Sequence, residues 1–248
     1  MLALAIAMLG VLSLERADAQ LTILHRFGDG SVPNDGAYPR AALAVGPDND
    51  LYGVTETKAQ YINGGSGTVF RITPSGTLTI IKSFPHKLYM VSEGPLLNYN
   101  GTLVGVTGGG PRRRGLGTLF ELTPAVGSQQ WNLNIAFKFG LNNVLGPSGS
   151  VIVGSDGDFY GTTEGTSTTT GAGTIYKMDP QTFTLTVLYD FTTSGAMSPQ
   201  GALLQGSDGN FYGSTEQFAF NFTASIFMMT PDGQVTILSQ IPGQFSYV

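Results

Sequence analysis

Three glutamates recur at one place in a repeating sequence. Glu56, Glu164 and Glu216 each follow the threonine that closes an apolar-Gly-x-Thr step. If the repeats are arranged around an axis, these carboxylates lie on a ring. Converging carboxylates can hold a hard cation such as calcium, which takes oxygen ligands. A pair of them can act as acid and base across a glycosidic bond. The plainer reading, and the one adopted, is that a repeat copies residues by descent and that these three face water. Gly108 interrupts the series in the second unit. Asp48, Asp50, Asp156, Asp158 and Asp208 offer further oxygens, but they lack the full spacing of a calcium loop. Turn chemistry accounts for them, because Asp-Gly and Asn-Gly pairs tolerate the positive φ of two-residue hairpins.

Two loops carry distinctive side chains. Arg112-Arg113-Arg114 is the one dense basic cluster, read as a solvated loop with an anion site as the alternative. Phe218, Phe220 and Phe222 alternate, which fits an exposed contact patch or a longer strand equally well. His25 and His86 are the two histidines, and His25 stands where other copies carry Lys82, Phe137 and Tyr189. A packing or surface role is expected for it, since no Ser, His and Asp grouping recurs as a nucleophile triad would require. The absence of cysteine excludes disulfides, zinc–thiolate sites and a cysteine nucleophile. No cofactor is expected, calcium being the one ion that the acidic positions would suit.

Four landmarks define the elements that position these residues. Strand c carries the step Leu51-Tyr52-Gly53-Val54-Thr55, repeated as Leu103-Val104-Gly105-Val106-Thr107, Phe159-Tyr160-Gly161-Thr162-Thr163 and Phe211-Tyr212-Gly213-Ser214-Thr215. Strand d reads Gly67-Thr68-Val69-Phe70, Gly117-Thr118-Leu119-Phe120, Gly173-Thr174-Ile175-Tyr176 and, degenerate, Ala224-Ser225-Ile226-Phe227. A proline follows at Pro74, Pro124, Pro180 and Pro231. Strand a alternates and ends in Phe: Leu21, Ile23, His25, Phe27; Leu78, Ile80, Lys82, Phe84; Leu133, Ile135, Phe137, Phe139; Leu185, Val187, Tyr189, Phe191. A fifth copy is Val235, Ile237, Ser239 and Ile241. A period of two marks a strand with one buried face. A short apolar strand b is expected at residues 41–45, 95–97, 150–153 and 202–204. The units run over residues 21–76, 77–130, 131–183 and 184–233, with a fifth beginning at 234–248.

The bulk numbers agree with an all-β chain. Of 248 residues, 12% are charged and 35 are glycine, which disfavours long solvated helices. The net charge is −5 with only 12 Lys and Arg, so the basic stripe of a nucleic-acid binder is absent. Residues 1–19 read as an export signal, with an apolar run over 1–14 and Ala17-Asp18-Ala19 before Gln20, although no basic residue precedes the run. That run is too short to span a bilayer, and no later segment could cross one.

Four-stranded sheets of about fifty residues that must stack on near-identical neighbours match propeller blades. The expected fold is a β-propeller-like array over residues 20–248. Strand a occurs five times and b, c and d four times, so a four-blade ring leaves one strand spare. A piece of a larger propeller is preferred to an incomplete arc that self-associates. The strand a ending in Phe, the Asp-Gly turn, Leu-Tyr-Gly-x-Thr and Gly-Thr-Val-Phe-x-Ile-Thr-Pro-x-Gly together resemble the GloVer-type tandem repeat of exported bacterial proteins, over residues 21–241. The resemblance implies a propeller-like fold and an extracellular or cell-surface location, and no activity. Val104 departs from the usual Tyr in the second unit, and no C-terminal anchor is seen. The function expected is a non-catalytic surface module binding a glycan or protein partner through its variable c–d loops. A propeller-type polysaccharide hydrolase or lyase is the alternative.

Overall fold

The computed structural model describes residues 21–242 apart from 40, 58–65, 85–93, 109–115, 128–129, 141–143, 165–172, 192–196 and 218–222. All regular structure among these residues is β, apart from Phe191, which is 3-10. Blade 1 consists of β1 (Ala44–Val45), β2 (Leu51–Thr57), β3 (Ser66–Ile72) and β4 (Leu78–Ser83). Blade 2 consists of β5 (Leu97–Tyr99), β6 (Thr102–Thr107), β7 (Thr118–Pro124) and β8 (Trp131–Lys138). Blade 3 consists of β9 (Pro147–Val153), β10 (Phe159–Thr163), β11 (Thr174–Met178) and β12 (Leu185–Asp190). Blade 4 consists of β13 (Met197–Gln205), β14 (Phe211–Gln217), β15 (Thr223–Met229) and β16 (Val235–Pro242). Each sheet is a four-stranded antiparallel meander, and the four form a propeller array.

The sheets are out of phase with the sequence repeat by one strand. Hydrogen bonding groups b, c and d with the strand a that follows them, not the one that precedes them. The spare copy of strand a is therefore the leading one, residues 21–27, which has no strand assignment. Strand b is the inner strand, since β9 and β13 lie against each other. There Gly94, Gly149 and Gly201 let backbones meet. A Cβ on Gly94 would sit 2.1 Å from the Gly149 carbonyl carbon, and one on Gly149 2.2 Å from that of Gly201.

The repeated Gly of strand c exists to make room, not to supply a special φ. Gly53, Gly105, Gly161 and Gly213 each pair across the ladder with the strand d aromatic: Phe70, Phe120, Tyr176 and Phe227. A Cβ on Gly105 would meet Phe120 Cζ at 2.5 Å. The ring thus lies flat over its own sheet, where any side chain on strand c would displace it. Its outer edge meets the Phe that ends strand a of the preceding blade. Phe84 meets Phe120 with centroids 5.1 Å apart, Phe139 meets Tyr176 at 5.5 Å, and Phe191 meets Phe227 at 5.6 Å, all edge-on. These contacts join the clusters that cement blade 1 to 2, 2 to 3 and 3 to 4.

Strand a does not keep one face buried along its length, contrary to the alternation expected from its sequence. Its register against strand d shifts at the same place in every blade, beside Phe70, Phe120, Tyr176 and Phe227. One extra residue enters there: Ile81, Ala136, Leu188 or Leu238. A bulge of this kind sends the residues beyond it to the opposite face. Leu78 and Ile80 accordingly pack with Phe70, on one side of blade 1, whereas Phe84 packs with blade 2 on the other.

Gly105→Ala is expected to cost about 1–3 kcal/mol by overpacking against a fully buried ring. Adding Phe120→Leu should recover part of that loss. Urea unfolding reads both, and an unchanged midpoint for Gly105→Ala would contradict the seating of the ring.

Candidate functional site

Each blade has two ends, and they differ. The antiparallel order places the b–c and d–a turns at one end and the c–d and a–b connections at the other. The turn end is short: residues 46–50, 100–101, 154–158 and 206–210 join b to c. In blades 1, 3 and 4 it is held by a repeated lock. Asp156 Oδ1 accepts the Asp158 N–H at 3.2 Å, Oδ2 accepts the Tyr160 hydroxyl at 2.8 Å, and Lys177 Nζ lies 2.7 Å from Oδ2 and 2.6 Å from Asp158. Blade 1 repeats this with Asp48, Asp50, Tyr52 and Arg71, whose guanidinium pairs with both carboxylates. Blade 4 keeps Asp208, Asn210 and Tyr212 but has Met228 where the cation stands. These oxygens are consumed by tyrosine, backbone and cation, which is the turn reading of the Asp-rich segments. The turns in blades 1, 3 and 4 span five residues, closed by paired backbone bonds such as Gly154 N to Asp158 O at 2.8 Å. Only Asn100-Gly101, with φ of 52° and 84°, makes the two-residue hairpin expected of all four.

Burial pushes the Asp156 carboxyl up, but the hydrogen bonds from Lys177, Tyr160 and the Asp158 amide outweigh it and hold the group below the usual carboxylate range. Burial and Asp156 push the Tyr160 phenol up to about 12. The two carboxylates raise Lys177 further above its ordinary value.

The opposite end carries the sequence-predicted site residues. At its base sits a second repeated device, a pair of buried threonines joined across strands c and d. The hydroxyls of Thr55 and Thr68, Thr107 and Thr118, and Thr163 and Thr174 lie 2.8, 2.8 and 2.9 Å apart. The strand c hydroxyl also accepts the strand d amide at 3.0, 3.0 and 3.1 Å. This explains the Thr in both motifs: it clamps the mouth of the c–d loop. In blade 4 the pair is Thr215 and Ser225, and both buried hydroxyls lack a hydrogen-bond partner.

Neighbouring loop bases are stitched together. Gly146 N donates to Leu116 O at 3.1 Å, Glu164 N to Gly146 O at 2.9 Å, and Ser198 Oγ to Glu164 O at 3.2 Å. Glu164 thus sits on this rim, exposed, with its backbone as the link between blades 3 and 4. Glu56 lies in β2 and Glu216 in β14, opposite Ser198, at the same end of strand c. Their side chains, and Arg112, Arg113, Arg114, Phe218, Phe220, Phe222 and His86, lie outside the described residues. Among the described residues no three acidic, His or Cys side chains gather as a metal site would need.

The His25 side chain is buried, as a packing role requires, but it also has a partner that the sequence pattern missed. Its Nε2 lies 2.9 Å from Asp35 Oδ2, with the two side chains 7% and 2% exposed. The same oxygen accepts the Gly28 amide, and the Asp35 carbonyl accepts the Thr68 hydroxyl. Asp35 lies in the a–b loop ahead of blade 1, whose sequence does not recur in step as the strand motifs do, so repetition could not single it out. A cleft of about 600 Å³ opens beside this pair, between residues 23–26 and 76–78.

Ser225→Thr is expected to restore the missing hydroxyl pair and stabilise by about 1 kcal/mol, read by thermal unfolding. No gain would mean that these hydroxyls are satisfied elsewhere. Lys177→Met tests the other end. A depressed carboxyl stabilises above its unfolded pKa of about 3.9 and loses that contribution as pH falls through the lower folded value. The pair is a third exposed or more, so solvent screening keeps its worth below about 1 kcal/mol. The substitution should lower stability slightly at pH 7 and leave it unchanged near pH 2. An equal loss at both would contradict the ion pair.

No curated protein sequence matches the chain significantly. Its solved structural neighbours are distant. A protein of unknown function from Dyadobacter fermentans superposes with a TM-score of 0.54 at 11% identity, over 84% of this chain and 69% of its own. An α-L-arabinanase from Penicillium chrysogenum, complexed with arabinobiose, gives 0.52 at 13%, over 82% and 67%. A structural-genomics protein provisionally assigned as a gluconolactonase gives 0.51 at 13%, over 82% of this chain and only 63% of its own. Likeness at these identities is one of fold alone. The sequence tells more. The profile of the Gloeobacter/Verrucomicrobia repeat matches residues 114–244, more than half of the chain, and the chain belongs to that repeat family.

Proposed function

We propose that the chain is the binding scaffold of an exported protein, holding a glycan at the end of the blades from which the c–d loops leave. One observation carries this reading: the two ends are built to different rules. The turn end repeats one aspartate–tyrosine lock in blades 1, 3 and 4 and closes blade 2 with a two-residue hairpin. The loop end repeats only its threonine clamps, and between them the segments 58–65, 108–117, 164–173 and 218–222 differ in length and composition. Loops set on a rigid frame are where recognition diversifies without cost to the core. The side chains they carry include Arg112, Arg113, Arg114, Phe218, Phe220 and Phe222, suited to stacking on sugar rings and pairing with acidic or hydroxyl groups.

A polysaccharide hydrolase is the second reading. The fold likeness to an arabinanase structure with a bound disaccharide favours keeping it, and the exposed Glu164 on the rim is its candidate acid or base.

A glycan array probed with the full chain separates them. Retention of a glycan class is expected, weakened at least tenfold by Phe218→Ala with Phe220→Ala, or by Arg112→Ala with Arg113→Ala. Asp156→Asn at the far end should leave it unchanged. No retention at any loop-dependent site would overturn the binding reading. New reducing ends from arabinan or another polysaccharide, lost in Glu164→Gln, would replace it with hydrolysis.

A further inference from the structure

Two aromatic residues hold a strained backbone, and burial offsets the strain in only one of them. Among the described non-glycine residues, φ is positive at Asn34, Asn49, Asn100, Tyr38 and Phe183. Asparagine tolerates this backbone, whereas a bulky side chain there is an outlier. Phe183, at 54°, is compensated: its ring packs in the cluster that joins blades 2 and 3, and its amide donates to the Asp179 carbonyl at 2.9 Å. Tyr38, at 59°, has no comparable burial, since 47% of it is exposed. Pro39 adds to the strain, because the residue before a proline is driven toward extended backbone.

The residues just before Tyr38 hold it in place. Asp35 is 1% exposed, and its Oδ2 lies 2.9 Å from His25 Nε2 and accepts the Gly28 amide at 3.0 Å. The Asp35 carbonyl accepts the Thr68 hydroxyl at 3.2 Å. Gly36 is buried so closely on the partner threonine that a Cβ would lie 2.1 Å from Thr55 Oγ1. Residues 35 and 36 therefore rest on the threonine clamp at the mouth of the blade 1 c–d loop. The a–b connection runs on from there to the inner strand β1, so Tyr38 stands at the loop end, between the clamp and that strand. Strained backbone persists only where its surroundings over-determine it, and such strain gathers at ligand clamps and active sites. Here the surroundings fix an exposed aromatic ring, in a loop whose sequence does not recur.

We propose that Tyr38 is the platform on which a pyranose ring of the bound glycan stacks, an inference that rests on the proposed binding of a glycan at the loop end. It adds the a–b loop ahead of blade 1 to the c–d loops as an element of recognition. The phenol suits such a ring. Its apolar face meets the C–H face of the sugar, and its hydroxyl reaches the polar edge. Because the backbone is already set and tyrosine has few rotatable bonds, stacking costs little conformational entropy. A six-membered sugar presents a flat C–H face that covers the phenol, and the smaller, puckered furanose does not. The class selected is therefore a pyranose glycan, not the furanose chain of an arabinan.

The test reads affinity by calorimetry and stability by thermal unfolding on the same variants of the full chain. The probes are the pyranose oligosaccharides cellohexaose and xylohexaose, with arabinohexaose as the furanose. A pyranose probe should bind, about tenfold more weakly in Tyr38→Ala and within about threefold of the parent in Tyr38→Phe. Tyr38→Gly should lose binding as Tyr38→Ala does. Its unfolding midpoint should nevertheless equal or exceed the parent's, because glycine takes a positive φ without strain. A tyrosine that served the fold alone would not lose affinity while stability held. Pyranose binding that survives Tyr38→Ala but weakens in Phe218→Ala with Phe220→Ala overturns this inference and keeps the scaffold reading. A lowered midpoint in Tyr38→Gly, or binding of arabinohexaose alone, overturns it as well. Binding of none of the probes also overturns it, and if the glycan array is blank too, the scaffold reading falls with it.

Discussion

An aromatic ring laid over a glycine is the contact on which this array depends. A four-stranded sheet is too thin to exclude water from both faces, so each blade must borrow a neighbour. The glycine of strand c lets the strand d ring lie flat, which leaves the ring's edge free to receive the phenylalanine ending the previous strand a. Blades 2, 3 and 4 each offer a seated ring to the blade before, and blades 1, 2 and 3 each project a Phe to the blade after. The bulge in strand a makes this possible by turning the end of that strand from one face to the other. Glycine, ring, bulge and terminal Phe act as one unit, and that unit repeats.

The remaining repeated residues serve the two ends of each sheet. At the turn end of blades 1, 3 and 4, an aspartate binds a tyrosine hydroxyl and a backbone amide, with a lysine or arginine added in blades 1 and 3. At the loop end, paired threonines close the ladder where the loops depart. Both devices satisfy polar groups that the sheets would otherwise bury, and burial without a partner is costly. The proposed recognition role of the c–d loops rests on this division.

Much of this was legible in the sequence because repetition exposes it. Four strands per unit, the placement of the aromatics and the turn role of the aspartates follow from residue types that recur in step. Three features were hidden for definite reasons. The bulge adds a residue without disturbing the alternation of Leu78, Ile80, Lys82 and Phe84 in sequence, so the change of face is invisible there. The phase of the sheets depends on which strand a pairs with strand d, and a repeat has no natural starting point. The His25–Asp35 pair joins the leading segment to an a–b loop whose sequence does not recur in the other units. The candidate glutamates show the same limit: the repeat locates Glu56, Glu164 and Glu216 at equivalent backbone positions, but it cannot say where a carboxylate at such a position points.

The most direct test of the central contact is a double-mutant cycle between two blades. Phe84 and Phe120 are fully buried and belong to blades 1 and 2. Each substitution to leucine, and the two together, would be followed by urea unfolding. A coupling of about 0.5–1.5 kcal/mol is expected for an edge-on ring pair at a blade junction. Strict additivity would show that the rings do not hold the blades together, and the account of the fold would fail with them.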